Sequence, residues 1–213
     1  MISGISGIAG FKTFGTLPGD AVWITAGTYQ WTVPSGIILI CAVCIGSGAG
    51  NGFWYDEDAS SSNSWGGGGG GLGYINNIAV TPGETLSIIV GATSSYNPGG
   101  SSSISRGGTQ LLMGGGGGAA SGMGIGGTHT GTGGNGGNAW YDVVGGNAGL
   151  YTGNGSNGAP YTAGKGTSVY GSSFAQSTAY YGGATIGVGR GAVRILWGLG
   201  RAYPDTNIRT SSS

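Results

Sequence analysis

Six consecutive glycines, residues 66–71, follow Trp65 and precede Leu72. Glycine loses more backbone freedom on ordering than any other residue and brings no side chain to a core, so such a run is ordinarily a flexible linker. The surrounding chain argues for order instead. It holds 54 glycines in 213 residues, yet also six tryptophans and eleven tyrosines, with only 7% charged residues. Disordered chains are typically charged and poor in aromatics. Polyglycine can order without side chains in the polyproline II conformation. That helix has three residues per turn and points every N–H and C=O outward, so helices packed side by side can pair those groups. The runs at 66–71, 114–118, 122–137 and 182–191 are therefore expected to be neighbouring strands of one glycine lattice. Strict collagen is excluded, because no Gly-X-Y period is sustained and only six prolines are present.

Between the glycine runs the pattern is that of strands. Residues 21–25 (AVWIT) and 28–33 (TYQWTV) read as a hairpin joined through Ala26 and Gly27, since Tyr29, Trp31 and Val33 alternate with Gln30 and Thr32. A long apolar strand follows at 37–45. Residues 74–80 and 86–90 read as a second hairpin around Thr81-Pro82-Gly83-Glu84, where proline then glycine supplies the torsions of a type II turn. Residues 109–113 suggest a further short strand. In 192–197 (AVRILW), Val193, Ile195 and Trp197 fall on one face and Arg194 and Leu196 on the other. No amphipathic helix is indicated. The expected fold is all-β, a small antiparallel, jelly-roll-like β-sandwich carrying a glycine-rich insert. The chain divides on this reading into an N-terminal arm or attachment segment (1–20), a sandwich core with the first glycine-rich loop (21–113), the polyglycine insert with aromatic loops (114–191), and a closing strand with a C-terminal tail (192–213).

The formal net charge is zero, with seven Lys plus Arg, which leaves no electrostatic footprint for nucleic acid or anionic lipid. The longest apolar run, 37–45, is about half the ~20 residues that span a bilayer, and the start lacks the basic region of a signal peptide. Cys41 and Cys44 form a CxxC, but inside a strand positions three apart face opposite sides and do not bridge.

Catalytic chemistry is sparse. His129 is the only histidine and sits in Gly-Thr-His-Thr-Gly, without the strand–turn–helix context of a nucleophile elbow. GxGxxG spacings carry no information in a chain this rich in glycine. Asp56, Glu57 and Asp58 lack the spacing of a calcium loop. Glu84 and Asp142 are the one carboxylate pair to consider for glycoside hydrolysis. No enzyme activity, cofactor or metal is expected. The aromatics in polar loops are the better lead: Trp54 and Tyr55 beside Asp56, then Tyr96, Trp140, Tyr141, Tyr151 and Tyr161. Rigid amphipathic rings among Ser, Gly and Asn offer contact area at low entropic cost, so these eight residues are the candidate receptor contacts. The alternative is that the rings cover lattice edges or a subunit interface.

Residues 28–120 resemble the glycine-rich domain of many tailed-phage virion proteins. The resemblance is carried by TYQWTVPSG, GSGAG, the first glycine run, YINNIAVTPGETLSIIVGA and LLMGGGGGAA in that order. The ending GRGAVRILWGLGRAYPDTN is similar to the closing segment of virion proteins from marine and cyanobacterial phages. The resemblance extends to the tail-fibre-tip adhesins of T-even-like phages, in which packed polyglycine helices support receptor-binding loops. It implies a homo-oligomeric protein of the virion surface, made in the host cytoplasm, whose partners are other virion proteins and a host-surface receptor or glycan. The chain departs from the adhesins at its amino end, which shows no fibre-attachment module. A capsid decoration or fibre protein without receptor binding is the second expectation, and a carbohydrate-binding module or glycosidase the third.

Overall fold

The computed structural model describes residues 18–50, 52–55, 62–94, 97–118, 124–139, 146–157, 167 and 189–205. Eleven strands run in chain order: β1 (Gly19–Trp23), β2 (Gly27–Thr32), β3 (Leu39–Ile45), β4 (Gly52–Tyr55), β5 (Ser62–Trp65), β6 (Leu72–Ala79), β7 (Thr85–Val90), β8 (Ser102–Arg106), β9 (Thr109–Gly114), β10 (Thr132–Gly134) and β11 (Ala192–Trp197). They build a five-stranded sheet in the order β1-β11-β3-β6-β10, a four-stranded sheet in the order β2-β7-β8-β9, and the separate β4-β5 ribbon. All pairings between these strands are antiparallel, and no helix occurs among the described residues.

The two larger sheets enclose one apolar core. Ile40, Ala42 and Cys44 of β3 and Val193 and Ile195 of β11 meet Leu86, Ile88 and Val90 of β7, Ile104 of β8 and Leu112 of β9. Alternation along β3 and β11 sends the intervening residues to the opposite face, where Cys41, Val43, Ile45, Leu196 and Ala192 join Leu72, Tyr151 and Tyr203 in a second cluster. The five-stranded sheet is thus buried on both sides, which explains the unbroken apolar run of β3. Cys41 and Cys44 are free thiols in different clusters, as their spacing requires.

Both expected hairpins are corrected. β1 pairs with β11 and β2 with β7, so the link through Ala26 carries the chain from one sheet to the other. β6 pairs with β3, and the turn after it again crosses between sheets. The turn chemistry itself holds: Glu84 N–H donates to the Thr81 carbonyl at 3.0 Å, and Gly83 adopts φ +82°. Local pattern specifies the strand and the turn, but the inward-facing rings of Tyr29, Trp31 and Trp197 decide which sheet each strand joins.

At one end of the sandwich the strands do not turn back but run on as glycine segments: 46–49 after β3, 66–71 before β6, 115–118 after β9, 135–139 after β10 and 189–191 before β11. Segment 66–71 lies at their centre. Gly46 and Ala49 N–H groups donate to the carbonyls of Gly71 and Gly68; Gly124 and Gly127 donate to Gly66 and Gly69; Gly146 and Gly149 donate to Gly67 and Gly70. All six carbonyls of the run are therefore occupied. Gly68 and Gly71 in turn donate to Gly118 and Gly115. Each of these four neighbours repeats its bonds at an interval of three residues, the period of the polyglycine II helix. A Cβ built on any residue from Gly67 to Gly71 would come within 3.0 Å of a backbone atom of a neighbouring segment. The glycines are the packing surface.

The lattice is wider than expected, since 46–49, 99–100, 146–149 and 155–157 also bond into it. The 122–137 run is not one helix: residues 124–128 run toward the sandwich, the chain reverses at Gly131 (φ +76°), joins the edge of the five-stranded sheet as β10, and leaves again as 135–139. Of the 182–191 run, 182–188 lie outside the described residues.

This geometry separates two glycines two positions apart. A Cβ on Gly116 would collide with the backbone of Gly99 and Gly100, whereas one on Gly118 comes no nearer than 3.2 Å, to the Ile125 carbonyl oxygen. Gly116→Ala is expected to destabilise the protein by about 3 kcal/mol or more and Gly118→Ala by about 1 kcal/mol. Urea unfolding of the two variants checks the difference.

Candidate interaction surface

Backbone bonding fixes the direction of every lattice segment. Gly71, Gly115, Thr128, Asn135 and Gly149 lie at the sandwich end, and Ala49, Gly66, Gly118, Gly124, Ala139, Gly146 and Asn157 at the far end. The connections 50–65, 119–123, 140–145 and 158–188 are consequently tethered at the far end of the lattice.

Most of the predicted contact residues belong to those connections. Trp54 and Tyr55 lie on β4, paired with Asn63 and Ser62 of β5 in the ribbon between Ala49 and Gly66. Asp56, Tyr96, Trp140, Tyr141 and Tyr161 lie outside the described residues. Tyr96 belongs to the link between Ala92 and Gly99, whose flanks bond to Gly100 and Gly117 within the lattice. Tyr151 differs. It is 4% exposed and stacks on Tyr203 with ring centroids 5.6 Å apart and an interplanar angle of 11°, beside Tyr74. Its ring packs on the outer face of the five-stranded sheet, so this candidate serves the core.

Asparagines at the lattice margin are structural residues that the sequence reading passed over. Asn135 and Asn138 N–H groups donate to the side-chain carbonyls of Asn154 and Asn157, each at 2.9 Å, and Gly126 N–H donates to the Asn138 side chain at 2.9 Å. The amides stand in for the backbone of an absent outer helix. Their signal was present as asparagines three residues apart, 135 with 138 and 154 with 157, a spacing that places one amide per turn on one edge of a three-residue helix.

Two further polar candidates, His129 and Glu84, make contacts that hold the fold. His129 Nδ1 shares a hydrogen bond with Asn135 Oδ1 at 2.8 Å inside the lattice. Glu84 accepts from Arg106 at 2.9 Å and from Thr81 N–H at 3.1 Å, closing the Pro82-Gly83 turn. Asp142 lies outside the described residues, and no group of three potential metal ligands occurs among those described.

On the outer face of the five-stranded sheet, Arg194 Nη2 bonds Asp20 Oδ2 at 2.8 Å, and Arg201 Nη1 lies 3.9 Å from Asp20 Oδ1. Burial lowers the pKa of the Arg201 guanidinium and Asp20 opposes that shift. Asn76 donates to the Tyr203 carbonyl at 2.8 Å and accepts its N–H at 2.9 Å. It does so from a bulge in β6 at which Asn77 adopts φ +60°, a torsion that asparagine tolerates better than most residues. Residues 198–205, which follow β11, are thus a clasp that returns along the sheet to cover its second apolar face.

A family model described as a glycine-rich domain matches residues 24–203, a span that takes in both the sandwich and the lattice. No curated protein matches the chain.

Two buried acids fix a pH dependence. Burial raises the Cys44 thiol well above its ordinary value of 9.0, and burial followed by the neighbouring Tyr151 raises Tyr203 well above 10.0. Above pH 9 the unfolded chain releases the Cys44 proton while the folded chain keeps it, so stability falls as pH rises, by up to about 1.4 kcal/mol per pH unit per group. Tyr203 adds to the slope above pH 10. In urea unfolding between pH 8 and 11, Cys44→Ala is expected to delay the onset of the decline and Tyr203→Phe to flatten its upper part.

Proposed function

We propose that this chain, which belongs to the glycine-rich domain family, is a non-enzymatic protein of the surface of a tailed-phage virion. On this reading it is a fibre-tip or tail-associated protein that presents loops to a host-surface receptor or glycan. One observation carries the reading: connections that contain Trp54, Tyr55, Trp140, Tyr141 and Tyr161 are all tethered at the lattice end remote from the sandwich. Connections that carry aromatic residues and share one end of a rigid base suit recognition of a surface, where a few rings carry most of the binding energy. The lattice suits the base because its cohesion comes from backbone pairing and leaves the connecting sequences free to vary. The resemblance of the strand and closing motifs to phage virion proteins supports the setting. It also supports docking onto other virion proteins as a homo-oligomer, after synthesis in the host cytoplasm.

A purely structural role on the capsid or fibre is the second reading. It is favoured by Tyr151, an aromatic of the glycine-rich half that packs inward.

The test is binding of the purified protein to host cells and its competition with phage adsorption. The intact protein is expected to bind and to slow adsorption. Tyr96→Ala and Trp140→Ala are each expected to weaken binding about ten-fold, as hot-spot aromatics do, with Tm unchanged. A folded protein that neither binds cells nor competes, and that cryo-electron microscopy places on the capsid shell, would establish the structural role instead.

A further inference from the structure

At the end of the sandwich remote from the lattice lies an open, largely apolar cleft of about 670 Å³, formed between the 36–39 segment and the 197–202 turn. Its walls carry large apolar side chains in contact with water: Leu199 is 96% exposed, Ile38 65% and Leu39 47%. Three such residues around one concavity are unlike the isolated apolar residues of an ordinary surface, and they mark a face that is covered. The chain supplies an occupant at the cleft's rim. Pro18 abuts Gly198, where an added Cβ would meet the Pro18 Cα at 2.5 Å, and Gly19 pairs with Trp197. Pro18, to which residues 1–17 are joined, therefore stands beside the cleft.

The sequence of that segment has a period of its own. Ile2, Ile5, Ile8, Phe11, Phe14 and Leu17 recur at every third position, separated by Ser, Gly, Ala, Thr and one Lys. Three residues per turn is the repeat of the polyproline II helix, on which these six side chains form a single stripe. At 3.1 Å per residue, the stretch from Phe11 to Leu17 spans about 20 Å. The other terminal segment, 206–213, contains only Ile208 as a large apolar residue and offers no such stripe.

We propose that residues 1–17 of the same chain lie in this cleft, with Leu17, Phe14 and Phe11 seated against Ile38, Leu39 and Leu199. The segment is then the cover of the sandwich at its base, as the closing clasp is the cover of its outer face. This holds whatever the lattice loops recognise.

Lys12 is the only Lys or Arg among residues 1–17, so trypsin reads the docked state directly. Cleavage after Lys12 is expected to be slow in the intact protein and at least ten-fold faster in Leu199→Asp, a position that belongs to neither core cluster of the sandwich. An equal rate in the two proteins overturns the proposal. The pair Phe14→Cys and Leu199→Cys distinguishes the occupant. It is made in a Cys41→Ser background, which keeps a donor for the Arg201 carbonyl. A disulfide within one chain, found by peptide mapping after air oxidation at low protein concentration, is the expected result. A disulfide between chains would assign the cleft to a second copy, and absence of any disulfide would leave the segment elsewhere; either result overturns the proposal.

Discussion

The whole molecule rests on backbone N–H and C=O groups that meet across glycines. A polyglycine II helix makes no hydrogen bonds within itself, so every bond it forms ties it to another segment. A strand in a sheet has two such neighbours. Segment 66–71 bonds to 46–49, 115–118, 124–127, 135–139 and 146–149. Each bond is modest, about 1 kcal/mol net, but an unmade one in a buried lattice costs more than that. The requirement for glycine follows from distance alone, because a methyl group on most of these residues would fall inside a neighbouring backbone.

The same constraint explains how sandwich and lattice join. β and polyproline II torsions lie close together in φ/ψ space, so a strand passes into a glycine helix without a turn. The register Ile45↔Leu72 aligns the last residue of β3 with the first of β6, and Ala192↔Ile45 aligns β11 with both. Three lattice segments therefore leave the sheet side by side. Sheet register becomes lattice register, and the apolar core that fixes the first also fixes the second. The clasp contributes from the other face: Asn76, Asp20 and the tyrosine stack hold 198–205 against β3, β6 and β11, keeping those strands buried on both sides.

Much of this was legible in the sequence. Strand positions follow from alternation, the Pro82-Gly83 turn from its torsional demands, the opposed cysteines from strand geometry, and the lattice from glycine runs in a chain too aromatic to be disordered. Strand partners were not legible. Ala26-Gly27 and Pro82-Gly83 look like hairpin turns because local sequence records a change of direction but not which sheet receives the next strand. Shorter lattice segments such as 46–49 and 155–157 escaped because serine, alanine and asparagine interrupt them, and a lattice position needs glycine only where its Cβ would face a neighbour. For Tyr151 the sequence showed an aromatic between glycines. Its burial depends on Tyr74 and Tyr203, tens of residues away on either side, and no local pattern carries that.

The arrangement has a consequence for how such a surface changes over time. Closing a loop costs free energy that grows only as about (3/2)RT ln n with its length. The lattice pins both ends of each connection whatever lies between them. Connections 119–123 and 158–188 start and finish on lattice segments, and their roughly six-fold difference in length corresponds to only about 1.6 kcal/mol of closure entropy. A substitution within the lattice meets backbone atoms on several sides, while a change within a connection meets this weak logarithm. The glycines and the sandwich are therefore the physically constrained part of the chain, and the connections are the part whose length the fold constrains least.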